Sequence, residues 1–413
     1  MITGSKTPIE KLPRAFQWLV TTDVLATMAT SVYTIVILYV VQTHFANLLL
    51  NGFVGALNHL PILLGALGIG ALVDRLPRRQ LMILTNLTMG ILAWIPLAVN
   101  RHVAWGYAVI IGVDFLIQTA LYVDELSHNA YLKYLVTSRQ LPKAEGILQS
   151  TASGGFIVGL GVVFGLLKYG KVPFFLLLST VGFAITSALI FLLPQDNKPV
   201  NVNRTPQSVF EMSRIGLMYL FRDRGLRWYT YQSLLANVAV NVLLALVVYD
   251  MGHRGFFHPF PLVVVIAAGL GMGLSGAVVS AGAKHVPMMG LITIGRIAFG
   301  GGLIGVAMAH HLLLFAMSLG LVFFGQNLSG TVLMTWRTQH TPLDLQGRIS
   351  GSIAQISSLT SWIGVLVISG IGAIFHSTAL PFMLAGGIAL LSLVVLLIGV
   401  VSHRWTLPRY LTE

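Results

Sequence analysis

The sequence predicts an all-α protein that crosses a membrane twelve times, in two pseudo-symmetric halves of six helices each. Three observations lead there. Hydrophobic residues make up 55% of the chain and charged residues 9%, with a mean hydropathy of +0.82, whereas soluble domains carry about 25% charged residues. Apolar runs of the length needed to span a bilayer, about 20 residues, fill most of the chain and group as six plus six around one polar stretch. The pattern also repeats: shifted by 206 residues, Gly70-Ala71-Leu72-Val73 falls on Gly276-Ala277-Val278-Val279, as in membrane proteins built from duplicated halves.

Hydropathy windows of about 19 residues place the first six spans at 16–42, 46–73, 80–99, 104–132, 148–168 and 172–194. The second six fall at 228–250, 259–281, 287–309, 311–335, 349–375 and 380–402. The loops alternate in charge. With the N-terminus inside, the inner loops and tails take every lysine and arginine except Arg101, Lys168, Lys171, Arg254 and the intrahelical Arg296, as the positive-inside rule requires. Both termini are therefore expected in the cytoplasm and the protein in the cell (inner or plasma) membrane. The domains expected are residues 1–194, a cytoplasmic linker at 195–227, and 228–413. The linker opens as PQDNKPVNVNRTP, which is loop chemistry. It continues as SVFEMSRIGLMYLFRDRGLR, whose charges among large apolar residues suit a helix lying on the membrane surface.

Composition also excludes functions. The net charge of +12 is spread over short loops, so it reads as topology and not as a nucleic-acid patch. The chain has no cysteine, which removes disulfides, thiolate catalysis and cysteine metal sites. Residues 1–15 are polar, and the apolar run after them is too long for a cleavable signal. No phosphate loop, His-Glu-x-x-His or Gly-x-Ser-x-Gly occurs. Neither ATP hydrolysis nor an intramembrane enzyme is supported, and no cofactor or metal is expected.

Three local motifs carry a family resemblance. Gly70 to Arg79, GALVDRLPRR, resembles the loop between the second and third helices of the major facilitator superfamily, Gly-x-Leu-x-Asp-Arg-x-Gly-Arg-Arg. Gly70, Leu72, Asp74, Arg75, Arg78 and Arg79 match it, and Pro77 stands where the family has its second glycine. In the linker, Glu211, Gly216, Tyr219, Leu220 and Arg222 are similar to the macrolide-efflux and enterobactin-exporter branch. So is Thr338-Gln339-His340-Thr341-Pro342 followed by Gly347-Arg348-Ile349-Ser350-Gly351. The resemblance implies a secondary active transporter of the major facilitator fold, working as a monomer in the lipid bilayer. Its substrate would be a small amphipathic, drug-like or siderophore-like molecule, exported against a proton gradient. It also implies a latch in which Asp74 accepts hydrogen bonds from the start of the eleventh helix, near Gly347 and Arg348. Arg75, Arg78 and Arg79 either join that latch or simply fix topology. The rival expectations are a sensor or scaffold that does not transport, and an importer or lipid transporter on the same fold.

Within the spans, ionisable groups mark interior surfaces, because each costs about 2.5–3.5 kcal/mol at the bilayer centre. In the fourth span Asp114, Gln118, Glu125 and His128 share one helical stripe, with Asp124 beside it. Asp114, near the midplane, either carries a proton or makes a structural hydrogen bond. Of Asp124 and Glu125, one is expected to pair with Lys133 or an arginine. Asp23 in the first span is a proton or cation-site candidate, or snorkels to the inner interface. Asn58, His59 and Pro61 break the second span, and His59 is a titratable candidate there. Asn237 and Asn241, with Gln232, are candidate cavity lining in the seventh span, as are Gln355, Ser358 and Ser361 in the eleventh. Arg296 in the ninth should find an acid or a carbonyl. Acids outnumber bases among these candidates, which favours a lipophilic cation or zwitterion as substrate. Finally, Gly155/Gly159 and Gly161/Gly165 form two small-xxx-small pairs suited to close helix packing.

Overall fold

The computed structural model describes residues 12–45, 47–65, 73, 76–98, 104–137, 140–166, 171–196, 216–256, 262–282, 285–341 and 346–402. Among these, ten helices are long and apolar enough to cross a membrane. In the first half they are α1 (Arg14–Phe45), α6 (Ala104–Leu135), α7 (Leu141–Leu166) and α8 (Val172–Ile190). In the second half they are α9 (Arg224–His253), α10 (Leu262–Gly282), α11 (Met288–Met308), α12 (Leu312–His340), α13 (Gln346–Ile374) and α14 (Ala379–Val401).

The second and third spans are broken. The second consists of α2 (Leu48–Leu57) and α3 (Leu60–Gly65), the third of α4 (Arg78–Leu92) and α5 (Ile95–Ala98). One cause serves both. Pro61 and Pro96 have no N–H to give to the carbonyl four residues back, which is Leu57 in one case and Leu92 in the other, and each helix stops at that residue. Tight turns take over, His59 N donating to Ala56 O and Trp94 N to Ile91 O. The sequence marks the first break through Asn58-His59-Pro61, whereas 80–99 reads as one uninterrupted helix and is corrected here. The fifth span also begins at Leu141, not near 148, because its first turns hold Lys143 and Glu145 and fall below a hydropathy threshold.

Packing repeats between the halves. In the first, α1 lies against α7 and α8, and α4 against α6 and α8. In the second, α9 lies against α13 and α14, and α11 against α12 and α14. The two halves meet through equivalent pairs, α2 on α13 and α7 on α10, with α9 also touching α1 and α2. Lipid supplies little hydrophobic force between helices, so close approach of small residues has to supply the packing. Gly155 and Gly159 face Val24, Met28 and Ser31 of α1, while Gly161 and Gly165 face Val265 and Leu262 of α10. The two glycine pairs thus serve two different neighbours. The second half is tighter still. A Cβ on Gly271, Gly295, Gly302 or Gly325 would run into the backbone of a neighbouring helix.

At the end remote from the start of α1 the two halves come into close contact. There, a Cβ on Gly52 would overlap Ser369, and one on Gly55 would overlap Ala245. We call this the far end and the opposite one the terminal end. At the terminal end, Asp196 accepts from the otherwise uncapped backbone N–H groups of Arg78 (2.8 Å) and Arg79 (3.4 Å) at the start of α4, where the helix dipole favours an anion. The Arg79 guanidinium donates to the carbonyls of Ile190 (3.1 Å) and Phe191 (2.6 Å) and sits over the Phe191 ring. Arg79 therefore ties the start of α4 to the end of α8, a role beyond topology. In the second half, residues 216–222 are helical, and Leu220 is buried in a cluster with Leu226, Tyr229 and Trp336. Asp223 caps α9, accepting from Leu226 N at 2.7 Å.

Candidate functional site

Between the halves lies a cavity of about 430 Å³, within the range of small-molecule sites. The first half supplies most of its wall. From α1 come Asp23, Thr27, Thr30, Ser31, Thr34 and Leu38, spaced by three or four so that they form one stripe. From α6 come Gln118, Asp124, Glu125 and His128, and from the break between α2 and α3 come Asn58 and His59. The second half contributes Asn241, Leu244 and Ala245 of α9. His59 lies against Asn241, and Asn241 donates to Ser361 of α13 at 3.1 Å.

The acids in this wall are held differently. Asp124 is buried, and its Oδ1 accepts from Thr85 Oγ1 (2.8 Å) and Asn86 Nδ2 (2.9 Å) of α4. Among the described residues no cation pairs with either of the two neighbouring acids: Lys133 is exposed, and neutral donors hold Asp124. Glu125 is exposed in the cavity wall and has no hydrogen bond or ion pair among the described residues. Asp23 is partly exposed, with Oδ1 3.9 Å from His128 Nε2. That is ion-pair range for an imidazolium but too long for a hydrogen bond. His128 Nε2 is buried and has no hydrogen-bond partner among the described residues.

Twelve spans, a twofold repeat of packing and a cavity on the axis between the halves specify one architecture. The Major Facilitator Superfamily model matches residues 19–365. The chain belongs to the Major Facilitator Superfamily. It is a transporter rather than an enzyme.

Among solved structures, it is similar to the nucleoside transporter NupG (13% identity, TM-score 0.67), covering 95% of this chain and 100% of that one. The xylose transporter XylE from E. coli in a partially occluded inward-open conformation gives 14% and 0.67, covering 94% and 97%. The human organic anion transporter MFSD10 gives 14% and 0.63, covering 93% and 100%. At such identities these likenesses speak for the fold. A search against curated proteins finds no significant match.

In this superfamily member the remaining sequence candidates fall away from the cavity. Asp114 is buried outside the lining. Its Oδ1 accepts from Gln118 at 3.4 Å, Oδ2 has no partner, and Tyr33 of α1 faces it. Asn237 donates to Ser233 O, and neither it nor Gln355, Ser358 or Ser361 lines the cavity. Arg296 is 3% exposed and also lies outside the lining. It finds carbonyl oxygens, those of the Gln232 (2.7 Å) and Gln326 (3.3 Å) side-chain amides, and not an acid. Gly70, Asp74 and Arg75 lie outside the described residues, and of Gly347 and Arg348 only the helical backbone is described. The cavity's hydroxyl row on α1, with Tyr122 and Phe156, was missed from the sequence. The row had a signal, since Thr27, Thr30, Ser31 and Thr34 recur at helical spacing within an apolar run.

Proposed function

We propose that this protein is a proton-coupled exporter of a small amphipathic compound, working by alternating access in the cell membrane with both termini cytoplasmic. The observation carrying this reading is that Asp23 and Glu125 face the central cavity and that, among the described residues, neither carboxylate has a lysine or arginine partner, Asp23 having only His128 Nε2 at 3.9 Å. Carboxylates that exchange a proton while a substrate occupies the same space couple the two flows. The far-end contacts of Gly52 and Gly55 then belong to an inward-open state, in which the cytoplasm reaches the acids. The local motifs of the linker and of the loop before α13 favour the macrolide and siderophore exporter branch over importers. Asp74 acts as a latch when the terminal end closes. The unit is a monomer of two halves, 1–194 and 228–413, hinged by the linker.

The test is reconstitution into liposomes with an imposed pH gradient, following proton flux while lipophilic cations, macrolides and siderophores are added. Substrate-evoked proton movement that disappears in Asp23→Asn supports the exporter. Proton movement absent with every compound, in folded protein, favours a sensor that kept the fold. Asp114→Asn should keep coupling, because Asp114 stands behind the cavity wall and not in it.

A further inference from the structure

The cavity is polarised along its length, and the order of its side chains sets which molecule fits and which way round. Following α1 from the terminal end, the wall reads Asp23, then Thr27, Thr30, Ser31 and Thr34, then Ile35 and Leu38. At 1.5 Å per residue the acid and the last leucine stand about 22 Å apart along the helix. The other helices agree. Glu125 and Asn129, the exposed lining residues of α6, lie toward its terminal end, as does His128. Toward the far end the wall is Leu244 and Ala245 of α9 with Gly55 of α2, where the halves touch. The terminal end of the lining, its mouth, thus holds three acids and, among the described residues, no lysine and no arginine; the middle is hydroxyl-rich, and the far end, its floor, is aliphatic.

We propose that the site takes an amphipathic organic cation, tail first, with its apolar body on the floor at Ile35, Leu38 and Leu244 and its cationic head between Asp23 and Glu125. This rests on the transporter reading above and adds the class and orientation of the ligand. Asp124 is not a head-group ligand, because Thr85 and Asn86 already occupy its Oδ1. The free pair is Asp23 of α1 and Glu125 of α6, both at the terminal end of the lining. A cation leaving water for this site has carboxylates to replace its hydration, whereas an anion meets three acids in a low-dielectric wall. Aliphatic floor area rewards chain length, at about fourfold in affinity per buried methylene.

Binding to the purified protein tests the proposal without requiring transport. Tritiated tetraphenylphosphonium should bind saturably, and tetraphenylborate, of the same shape and opposite charge, should not compete. Affinity in an alkyltriphenylphosphonium series should rise with chain length. Asp23→Asn and Glu125→Gln should each weaken binding about tenfold or more, while Asp23→Glu keeps most of it, which separates lost charge from lost fold. Because the chain has no cysteine, a phosphonium with a maleimide at its tail should label Leu38→Cys and spare Asn129→Cys. Equal competition by tetraphenylborate, or binding indifferent to both acids, would overturn the cation assignment. Labelling at Asn129→Cys instead of Leu38→Cys would overturn the orientation. Tight binding without gradient-driven flux would refute the exporter reading and leave this site standing.

Discussion

Replacing Gly52 by valine should open the far end. Gly52 is buried, and a Cβ there overlaps both Cβ and Oγ of Ser369, with Leu246 Cδ2 at 3.8 Å closing the side. Ser369 is itself fully buried on α13, so nothing nearby yields without moving α2 away from α13. Overpacking of this kind costs about 1–3 kcal/mol. The cost falls on the far-end-closed state alone, since the two helices belong to different halves. At 1.4 kcal/mol per tenfold, a 2 kcal/mol penalty shifts the balance between states by roughly 30-fold. The assay uses a chain without native cysteines. A single cysteine at Leu38, on the cavity floor, is labelled in liposomes by an impermeant maleimide applied to one face or the other. Gly52→Val should speed labelling from the far-end face and slow it from the terminal face. Pairing it with Ser369→Gly should restore the original preference, a coupling that a double-mutant cycle measures. Unchanged sidedness in a folded Gly52→Val protein would refute the view that this contact closes the far end.

Other consequences follow from side-chain pairs. Asp124→Ala leaves Thr85 and Asn86 without their shared acceptor and should lower stability by about 1–3 kcal/mol, read as a fall in the unfolding temperature in detergent. Arg296→Lys should destabilise by a similar amount, about 1–3 kcal/mol, because an ammonium does not span both glutamine oxygens as the guanidinium fork does. Arg296→Met combined with Gln232→Leu should recover most of that loss, as apolar replacement of buried polar groups often does. If transport also survives in that double variant, Arg296 is structural; a loss of flux from a stable protein would show that it serves the substrate. Arg79→Ala removes two hydrogen bonds and a ring contact at the α4–α8 junction. It should cost about 1–3 kcal/mol, measurable by thermal unfolding, with little change in ligand affinity.

Much of this architecture was legible because a bilayer imposes a length on apolar runs. The second-span break was legible too, since Asn58, His59 and Pro61 are polar or helix-breaking in an apolar context. The third-span break was not, because Pro96 sits among apolar neighbours and hydropathy does not register a missing N–H. At the site, Asp23, Gln118, Glu125 and His128 could be found from charge and helical spacing alone. What charge could not reveal was the use each acid is put to. Asp124 and Glu125 are adjacent and chemically alike, yet one is bound by Thr85 and Asn86, which are uncharged and some forty positions earlier, and the other is left open. Asp114 keeps its place on the stripe, but it is buried outside the cavity lining, with the lining residue Gln118 donating to its Oδ1.

The glycines of the second half have a further consequence. Where Gly271, Gly295, Gly302 and Gly325 meet a neighbouring backbone, any side chain beyond hydrogen forces two helices apart. The ligand's wall, in contrast, is built mainly from the first half. A complete substitution scan scored on folded protein should find its least tolerant positions in the half that the cargo barely touches. Selection for a new cargo would meanwhile accumulate changes along α1 and α6. One half of the molecule is then free to drift in what it carries because the other has almost no freedom to drift at all.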